Sequence, residues 1–446
     1  MRDDYLLTEP PFKAILLFSL PMMLGNFFQQ FYTMADSVIV GRFVGENALA
    51  AVGASYALTT VFISIAIGGG TGASVITGQA FGRGNGQEVK ESISVSLISF
   101  LVISIILAII GYTFSPLILR ALNTPLNIEK DADIYLRIYF LGLPFLFMYN
   151  ILSSIFNALG KSRIPLFLLI FSSLLNIILD IVAVTVLGMG VAGAAWATLI
   201  SQAISAMLSF CILLRKMRKI EGRIERYFSF GILSEMSGIA LPSILQQSVI
   251  SFGMMLVQSV VNTFGSEVLA GYSAAIRVDS LSTVSIGAIG NALCSYTAQN
   301  VGAGNERRII RGYHMSFILV LIFSAITCAI LIGFKSGIIA LFLGEDGTES
   351  AYLTGEHYIS YLGWFYAILG AALITGGLLR GAGDMKLFTI ASIGNLTLRV
   401  AGAFLLTPHF GVEVVWYIVP LGWSIYFIIC YLSYRSGKWR KALASC

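Results

Sequence analysis

Apolar runs long enough to cross a lipid bilayer follow one another along the chain, and they constrain its fold more than any other feature. About 20 consecutive apolar residues span the hydrocarbon core as a helix, and such runs recur between residues 14 and 434. Charged residues make up only 11% of the 446 residues, less than half of the roughly 25% in soluble proteins. The sequence therefore predicts an all-α polytopic membrane protein.

Twelve transmembrane helices are predicted. Their approximate limits are 14–40, 49–78, 93–118, 132–158, 165–188, 191–214, 234–262, 268–298, 312–334, 354–379, 387–408 and 412–434. Lys and Arg gather in alternate short loops, such as the loop with Arg83 and Lys90, whereas the opposite loops are acidic, with Glu129, Glu345 and Asp346. Because basic short loops stay on the cytoplasmic side, we expect a multi-pass protein of the cytoplasmic membrane with both termini in the cytoplasm.

Composition argues against several other classes of protein. The basic residues behind the net charge of +5 belong to short loops between helices, so they do not indicate nucleic-acid binding. The start, MRDDYLLTEPPFKA, lacks the basic region of a cleavable signal peptide. The cysteines are dispersed without a CxxC pair, which favours packing over a disulfide framework or zinc site; they are Cys211, Cys294, Cys328, Cys430 and Cys446.

An internal duplication divides the chain into two halves. The segment GGTGASVITGQAFGRGN pairs with IGNALCSYTAQNVGAGN, at an offset of 220 residues. The matched residues are Gly70, Gln79, Gly82, Gly84 and Asn85 with Gly290, Gln299, Gly302, Gly304 and Asn305, and further on Asn176 with Asn395. Six spans in each half place the halves the same way up, a pattern of parallel repeats found in transporters. We therefore assign residues 1–220 to an N-terminal lobe and 221–446 to a C-terminal lobe.

The glycine-rich turn GRGNG is interpreted as a helix end and not as a nucleotide-binding loop. No strand precedes it, and no Gly-Lys-Ser/Thr follows it. We expect its glycines, and those of the matching turn, to cap the second and eighth helices. Without a nucleotide site, transport would draw on an ion gradient.

The motifs, taken in order, resemble those of the multidrug and toxic compound extrusion (MATE) family. They include Pro21, Gln29, Tyr32 and Asp36 followed by VGRFVG, then GQAFGRGN, YNILSSIFNALGKSRIP, NIILDIVAVTVLGMGVAGAAWAT and AQNVGAGN. The resemblance covers nearly the whole chain. It implies two six-helix bundles arranged as a V around a central cavity, and cation-coupled efflux of amphipathic, often cationic, compounds. It implies no enzymatic activity, and no Ser–His–Asp ordering, metal-ligand cluster or haem motif points to an enzyme.

Three polar residues lie at one depth in the N-terminal half. Counted from the nearest loop at 1.5 Å per residue, Asp36, Asp180 and Thr198 are roughly 9–12 Å below the outer surface. Asn176 lies one helical turn before Asp180 and shares its helix face. A carboxylate in a membrane interior is costly and usually faces a cavity or a partner. Two close carboxylates resist simultaneous ionisation, so such a pair can hold H⁺, and with amide and hydroxyl oxygens it also suits Na⁺.

The resemblance adds roles for these residues. In the DinF-like branch of the family, the positions matching Asp36, Asn176, Asp180 and Thr198 line a cation site. Neighbouring polar positions of the same pocket match Tyr32, Tyr135 and Asn150. A purely structural role for the two carboxylates is the alternative. The coupling ion, H⁺ or Na⁺, is left open, and no other cofactor is expected.

The C-terminal half lacks an equivalent acid pair. Arg399 aligns with Asp180, and the seventh and tenth spans lack the acids that another branch of the family uses there. Asp279 is interpreted as locally balanced by Arg277. We therefore expect coupling in the N-terminal lobe alone, and the candidate contacts with substrate or between lobes are Gln29, Gln246, Gln247, Arg277 and Arg399.

The first helix is predicted to change shape. Pro21 interrupts its hydrogen-bond ladder, and Gly25 follows one turn later. The intramembrane arginines keep a second function open, a flippase for a lipid-linked saccharide or peptidoglycan precursor. Because the duplication supplies both lobes, a monomer would suffice.

Overall fold

The computed structural model describes residues 4–122, 124–344 and 347–444, so Glu345, Asp346 and Cys446 lie outside the described residues. Within these ranges the chain forms sixteen α-helices and no β-strand. The helices are α1 (Tyr5–Thr8), α2 (Pro11–Ile39), α3 (Glu46–Gly82), α4 (Gly86–Ala121), α5 (Leu126–Ala158), α6 (Arg163–Ile181), α7 (Gly190–Met217), α8 (Phe230–Val261), α9 (Ser266–Gly302), α10 (Glu306–Gly333), α11 (Lys335–Leu343), α12 (Glu349–Gly363), α13 (Tyr366–Gly381), α14 (Met385–Phe410), α15 (Val414–Ser436) and α16 (Lys441–Ala444).

The long helices confirm an all-α, multi-pass membrane protein. In the part of the chain that the structure describes, ten helices are long and apolar enough to cross a membrane, and the bent pair α12–α13 raises the number to eleven. The remaining predicted span falls on α9, which has 37 residues and carries Glu267, Arg277 and Asp279. Each of the twelve predicted spans thus coincides with one of these helices or with the bent pair.

The tenth predicted span is not a continuous helix. Its two parts, α12 and α13, meet at an angle of 55°. At the break, the backbone N–H of Phe365 donates to the carbonyl oxygen of Leu362, three residues back instead of four. This tighter turn redirects the chain at Trp364 and Phe365.

The chain folds into two compact units. One comprises Leu24–Ile244, and the other comprises Met1–Met23 with Leu245–Cys446. Their boundaries fall inside α2 and α8, each two residues after a proline, Pro21 or Pro242. The lobes 1–220 and 221–446 describe the sequence repeat and stay a prediction.

The glycine-rich turns of the two halves have the same conformation, as expected from the repeat. Gly84 and Gly304 have positive φ values of 71° and 64°, which glycine adopts without strain. The side chains of Asn85 and Asn305 then accept hydrogen bonds from the backbone N–H groups three residues later. Both turns therefore end one long helix and cap the start of the next.

Helices α9 and α13 approach each other backbone to backbone. A Cβ atom built on Gly377 would overlap the carbonyl oxygen of Gly290. We expect Gly377→Ala to destabilise the protein by about 1–3 kcal/mol, because the two helices would have to separate. Thermal unfolding in detergent measures this, with Gly394→Ala as control, since a Cβ at Gly394 meets nothing within 4 Å. Equal melting temperatures for both variants would contradict the prediction.

Candidate cation site

Helices α2, α6 and α7 bring four predicted site residues together within the compact unit of residues 24–244. The carboxyl groups of Asp36 on α2 and Asp180 on α6 lie within hydrogen-bonding distance of each other. Asp180 is 0% exposed, and Asn176, one turn earlier on the same helix, is 1% exposed. The i, i+4 spacing places both side chains on the buried face of α6.

The amide group of Asn176 links the carboxyl pair to α7. In the orientation that satisfies both of its atoms, its nitrogen donates to Asp180 Oδ2 at 2.8 Å. Its oxygen then accepts from the backbone N–H of Thr198 at 3.2 Å, and the amide also lies 3.3 Å from Thr198 Oγ1. Asn176 thereby fixes the position of Asp180 relative to Thr198.

Two tyrosines complete the surroundings of the carboxyl pair. The phenol group of Tyr32, one turn before Asp36 on α2, lies close to the side chains of Asp36 and Thr198. Tyr135 on α5 lies close enough to Asp36 and Asp180 to interact with both electrostatically. The structure therefore joins six predicted residues, from four helices, into one polar cluster.

One oxygen of each carboxyl group is left without a hydrogen-bond partner. Asp36 Oδ1 and Asp180 Oδ1 are buried and accept no hydrogen bond from the described residues. A buried charge is costly unless it is paired and hydrogen bonded. A proton shared by the pair removes one of the two charges, and Na⁺ takes oxygen ligands of the kind that the two carboxylates, Asn176 and Thr198 offer. The donor set thus fits either coupling ion.

Both carboxyl groups lie just before a π-helical turn. The turn Val40–Val44 continues α2 four residues after Asp36, and Val182–Val186 continues α6 two residues after Asp180. The two turns pack against each other. Such turns are rare and frequently occur at functional sites. Sequence analysis missed them because neither segment, VGRFV or VAVTV, contains a proline or another local signal that marks a departure from the α-helix.

A small cavity opens beside this cluster. It has a volume of about 10 Å³ and is lined by Tyr135, Tyr139, Gly142, Ala195, Thr198, Leu199 and Gln202, and that volume suits about one water-sized guest. Gln202 was not among the predicted residues, although it lies one turn after Thr198 on α7. Its i, i+4 spacing from Thr198 is the signal that could have found it.

Four other predicted residues have different surroundings. Asn150 donates to the carbonyl oxygen of Leu146 on its own helix at 2.8 Å. The side chain of Gln29 is exposed, whereas Gln246 and Gln247 are partly buried. Among the described residues of the unit that holds the carboxyl pair, no hydrogen bond joins the side chain of Asn150 or Gln29 to that pair.

The interpretation of Asp279 is corrected by the structure. Arg277 is exposed, whereas Asp279 accepts a hydrogen bond from the Tyr366 hydroxyl at 2.7 Å and interacts with Arg399. Residues two apart do not face each other on a helix, so Arg277 points away from Asp279. The counter-charge comes from Arg399 on α14.

Comparison with known proteins identifies the family. The family model described as MatE matches twice, at residues 21–182 and 242–405. The second match starts 221 residues after the first, at 242 instead of 21, close to the offset of the sequence repeat.

Individual proteins show the same similarity. The chain is 31% identical over 431 residues to the "Probable multidrug resistance protein YpnP" of Bacillus subtilis (strain 168), covering 96% of each chain. It is 27% identical over 385 residues to the "FAD transporter" of Shewanella oneidensis, covering 84% of this chain and 83% of that protein.

A solved structure, "Outward-facing conformation of a multidrug resistance MATE family transporter of the MOP superfamily", is 25% identical with a TM-score of 0.91 over 100% of this chain and 99% of that one. Three findings point to the same family: the fold of the described helices, the two matches of one family model, and similarities that extend over most of the chain. The chain belongs to the MatE family and is a membrane transporter, not an enzyme.

Proposed function

We propose that this transporter is an antiporter, driven by H⁺ or Na⁺, that exports amphipathic, often cationic, drugs or toxic metabolites across the cytoplasmic membrane by alternating access. The observation that carries the proposal is the buried carboxyl pair of Asp36 and Asp180, with one oxygen of each lacking a hydrogen-bond partner. The resemblance to the DinF-like branch, in which the matching positions line a cation site, supports this assignment. The similarity to a protein named for multidrug resistance supports the class of substrate.

The two coupling ions would use the same residues in different ways. A proton would bind to one carboxyl oxygen and form a hydrogen bond to the other carboxylate. Na⁺ would be held by oxygens of Asp36 and Asp180, with Asn176 and Thr198 as neutral ligands. In both cases the ion neutralises negative charge at the ends of α2 and α6. If this change weakens drug binding, the drug must weaken ion binding by the same factor.

Transport in liposomes tests the coupling. Purified protein is reconstituted, and movement of a fluorescent cationic dye is followed while the H⁺ and Na⁺ gradients are set separately. We expect the dye to move in the direction opposite to the flow of H⁺ or Na⁺ down its gradient. Dye movement is expected to stop when an ionophore dissipates that ion gradient. Dye movement that is independent of both gradients would overturn the antiport proposal.

The similarity to an FAD transporter provides a second candidate class of substrate. Adding FAD to the same liposomes tests it, because an anionic nucleotide that is carried would compete with the dye or move in its place. If FAD is transported and the dye is not, the substrate is an anionic nucleotide and not a cationic drug. A lipid-linked pyrophosphate is less favoured than the sequence suggested, because the charge of Arg399 is offset by Asp279.

We also propose that a monomer carries out transport and that both termini are cytoplasmic. Orientation is tested with single cysteines at two exposed positions, Glu349 and Lys219, in a cysteine-free background. A membrane-impermeant maleimide is expected to label Glu349→Cys in intact cells and Lys219→Cys only after permeabilisation. The reverse pattern would show that the orientation is inverted.

A further inference from the structure

A further carboxyl group, that of Asp279, is partly buried in the interior of α9, in the compact unit that does not contain the candidate cation site. Asp279 is 13 residues from the start of this 37-residue helix, which places it about 20 Å along the helix axis. Its Oδ1 accepts a hydrogen bond from the Tyr366 hydroxyl at 2.7 Å. Ionisable groups at such depth are costly to bury and usually have a function. The cation coupling proposed above does not use Asp279.

Charged and titratable groups face Asp279 from the helices around it. Tyr272 lies two turns earlier on α9, Tyr358 is on α12, and Tyr366 is on α13. Arg399 on α14 interacts with Asp279 electrostatically, but within the described ranges the two do not form a direct ion pair. An ionised Asp279 therefore has one strong hydrogen bond and a nearby positive charge, and the cluster as a whole is neutral.

Tyr366 connects this carboxyl group to the bend in the tenth span. It is the first residue of α13, directly after the 55° break. Its side chain is fully buried, and its ring centroid lies 6.1 Å from that of Trp423 on α15. The hydrogen bond from Tyr366 to Asp279 thus ties α9 to the residue at which the span changes direction.

We propose that Asp279 is a second proton-binding site of this transporter, and that its proton competes with a cationic substrate. The step adds one proton from water to a carboxylate oxygen of Asp279, with no other bond made or broken. The carboxyl group becomes neutral, so the charge of Arg399 is no longer offset and the cluster gains one positive charge. The proposal rests on the proposed function only for the positive charge of the substrate.

Protonation acts on both charge and shape. An uncompensated Arg399 in the membrane interior repels a cationic compound in the same protein, because charges are poorly screened there. A neutral carboxyl group is also a weaker hydrogen-bond acceptor than a carboxylate, so Tyr366 is held less firmly at the bend. By reciprocity, binding of a cationic compound expels the proton from Asp279.

Proton release on dye binding tests the site. Detergent-solubilised protein in weak buffer is mixed with a cationic dye, rhodamine 6G, and released protons are measured with a pH indicator. We expect Asp279→Asn to release fewer protons per bound dye than the wild type: about half as many if the Asp36–Asp180 pair also binds H⁺, and none if that pair binds Na⁺. Glu267→Gln, which removes an exposed carboxylate from the first turn of the same helix, is expected to match the wild type.

Each outcome bears on the proposal. Unchanged proton release in Asp279→Asn, with release reduced in Asp36→Asn, would overturn the proposal for Asp279 and leave the proposed function standing. No proton release from the wild type would also overturn it, even if Na⁺ drives transport at Asp36 and Asp180. If the wild type releases protons on dye binding but shows neither Na⁺-driven nor H⁺-driven transport, the result would count against the proposed function alone.

A second measurement tests the proposal if the Asp279→Asn variant folds poorly. Infrared difference spectra between acidic and alkaline pH report the C=O band of each protonated carboxyl group. Tyr366→Phe keeps the carboxyl group and removes its hydrogen-bond donor, so we expect one C=O band to shift in frequency while the bands lost in Asp36→Asn are unaffected. A spectrum identical to that of the wild type would show that Asp279 does not titrate. This is also the spectrum expected if the hydrogen bond from Tyr366 has a structural role only.

Discussion

Replacing Asp180 by asparagine is expected to abolish cation-driven efflux while the protein still folds. Asparagine keeps the shape of the side chain but removes a negative charge and the capacity to exchange a proton. Two unit charges 4 Å apart interact by about 4 kcal/mol at an effective dielectric constant of 20. Even a third of that energy corresponds to roughly tenfold weaker binding of the coupling ion. Asp36→Asn is expected to have the same effect, because the two carboxyl groups act as a pair.

The measurement is dye efflux in the reconstituted system, together with ion binding by isothermal calorimetry. Asp131→Asn makes the same chemical change near the start of α5, outside the polar cluster, and is expected to transport normally. Asn176→Ala and Thr198→Ala remove neutral groups and are expected to reduce efflux less than the carboxylate variants. Wild-type rates in both Asp36→Asn and Asp180→Asn would leave the carboxyl groups with a structural role only.

Dye affinity gives an independent view of the same pair. In the wild type we expect the affinity for a cationic dye to change with pH or Na⁺ concentration, because ion and dye binding are coupled. In Asp36→Asn this dependence is expected to be weaker. Equal dependence in both proteins would mean that the charge of Asp36 is not the link between ion and substrate.

The polar cluster was predictable from sequence because it depends on helical periodicity and membrane depth. The i, i+4 spacing puts Asn176 and Asp180 on one face of α6, and loop positions put Asp36 and Thr198 at the same level. Neither property requires knowledge of how helices pack. The partners of Asp279 do require it, because Arg399 is 120 residues away in sequence and only the packing of α9 and α14 brings the two into range.

Departures from regular helix were the least predictable part of the fold. The break at Trp364 and Phe365 contains no proline, and the π-helical turns after Asp36 and Asp180 consist mostly of valine and other apolar residues. Such features are held by tertiary contacts, such as those of Val40 with its small core around Ala48, Val191 and Ala194. Local sequence carries little information about them.

The proline in α2 is expected to be the hinge of the transport cycle. Pro21 has no N–H group, so one hydrogen bond of the helix is absent there. The first segment of one compact unit ends within α2 at Met23, and the other unit begins at Leu24. The boundary thus lies between the two predicted hinge residues, Pro21 and Gly25. A helix that passes from one unit to the other bends at least cost where a hydrogen bond is already missing.

Pro21→Ala is therefore expected to lower efflux by about tenfold or more. Alanine restores the hydrogen bond and favours the straight helix by up to about 3 kcal/mol, which shifts an equilibrium between two shapes more than a hundredfold. Gly25→Ala is expected to change the preference for the straight helix by only about 1 kcal/mol. A Cβ there would meet Leu169 and Leu166 at 3.7 and 3.8 Å, which is an ordinary contact.

Efflux rates and thermal stability are measured for both variants and for Pro116→Ala, whose proline lies in α4 within a single unit. Slow efflux with unchanged or raised stability in Pro21→Ala alone would support the hinge. Normal efflux in Pro21→Ala would show that the bend is not needed, and movement of the two repeats as rigid bodies would then be the better mechanism.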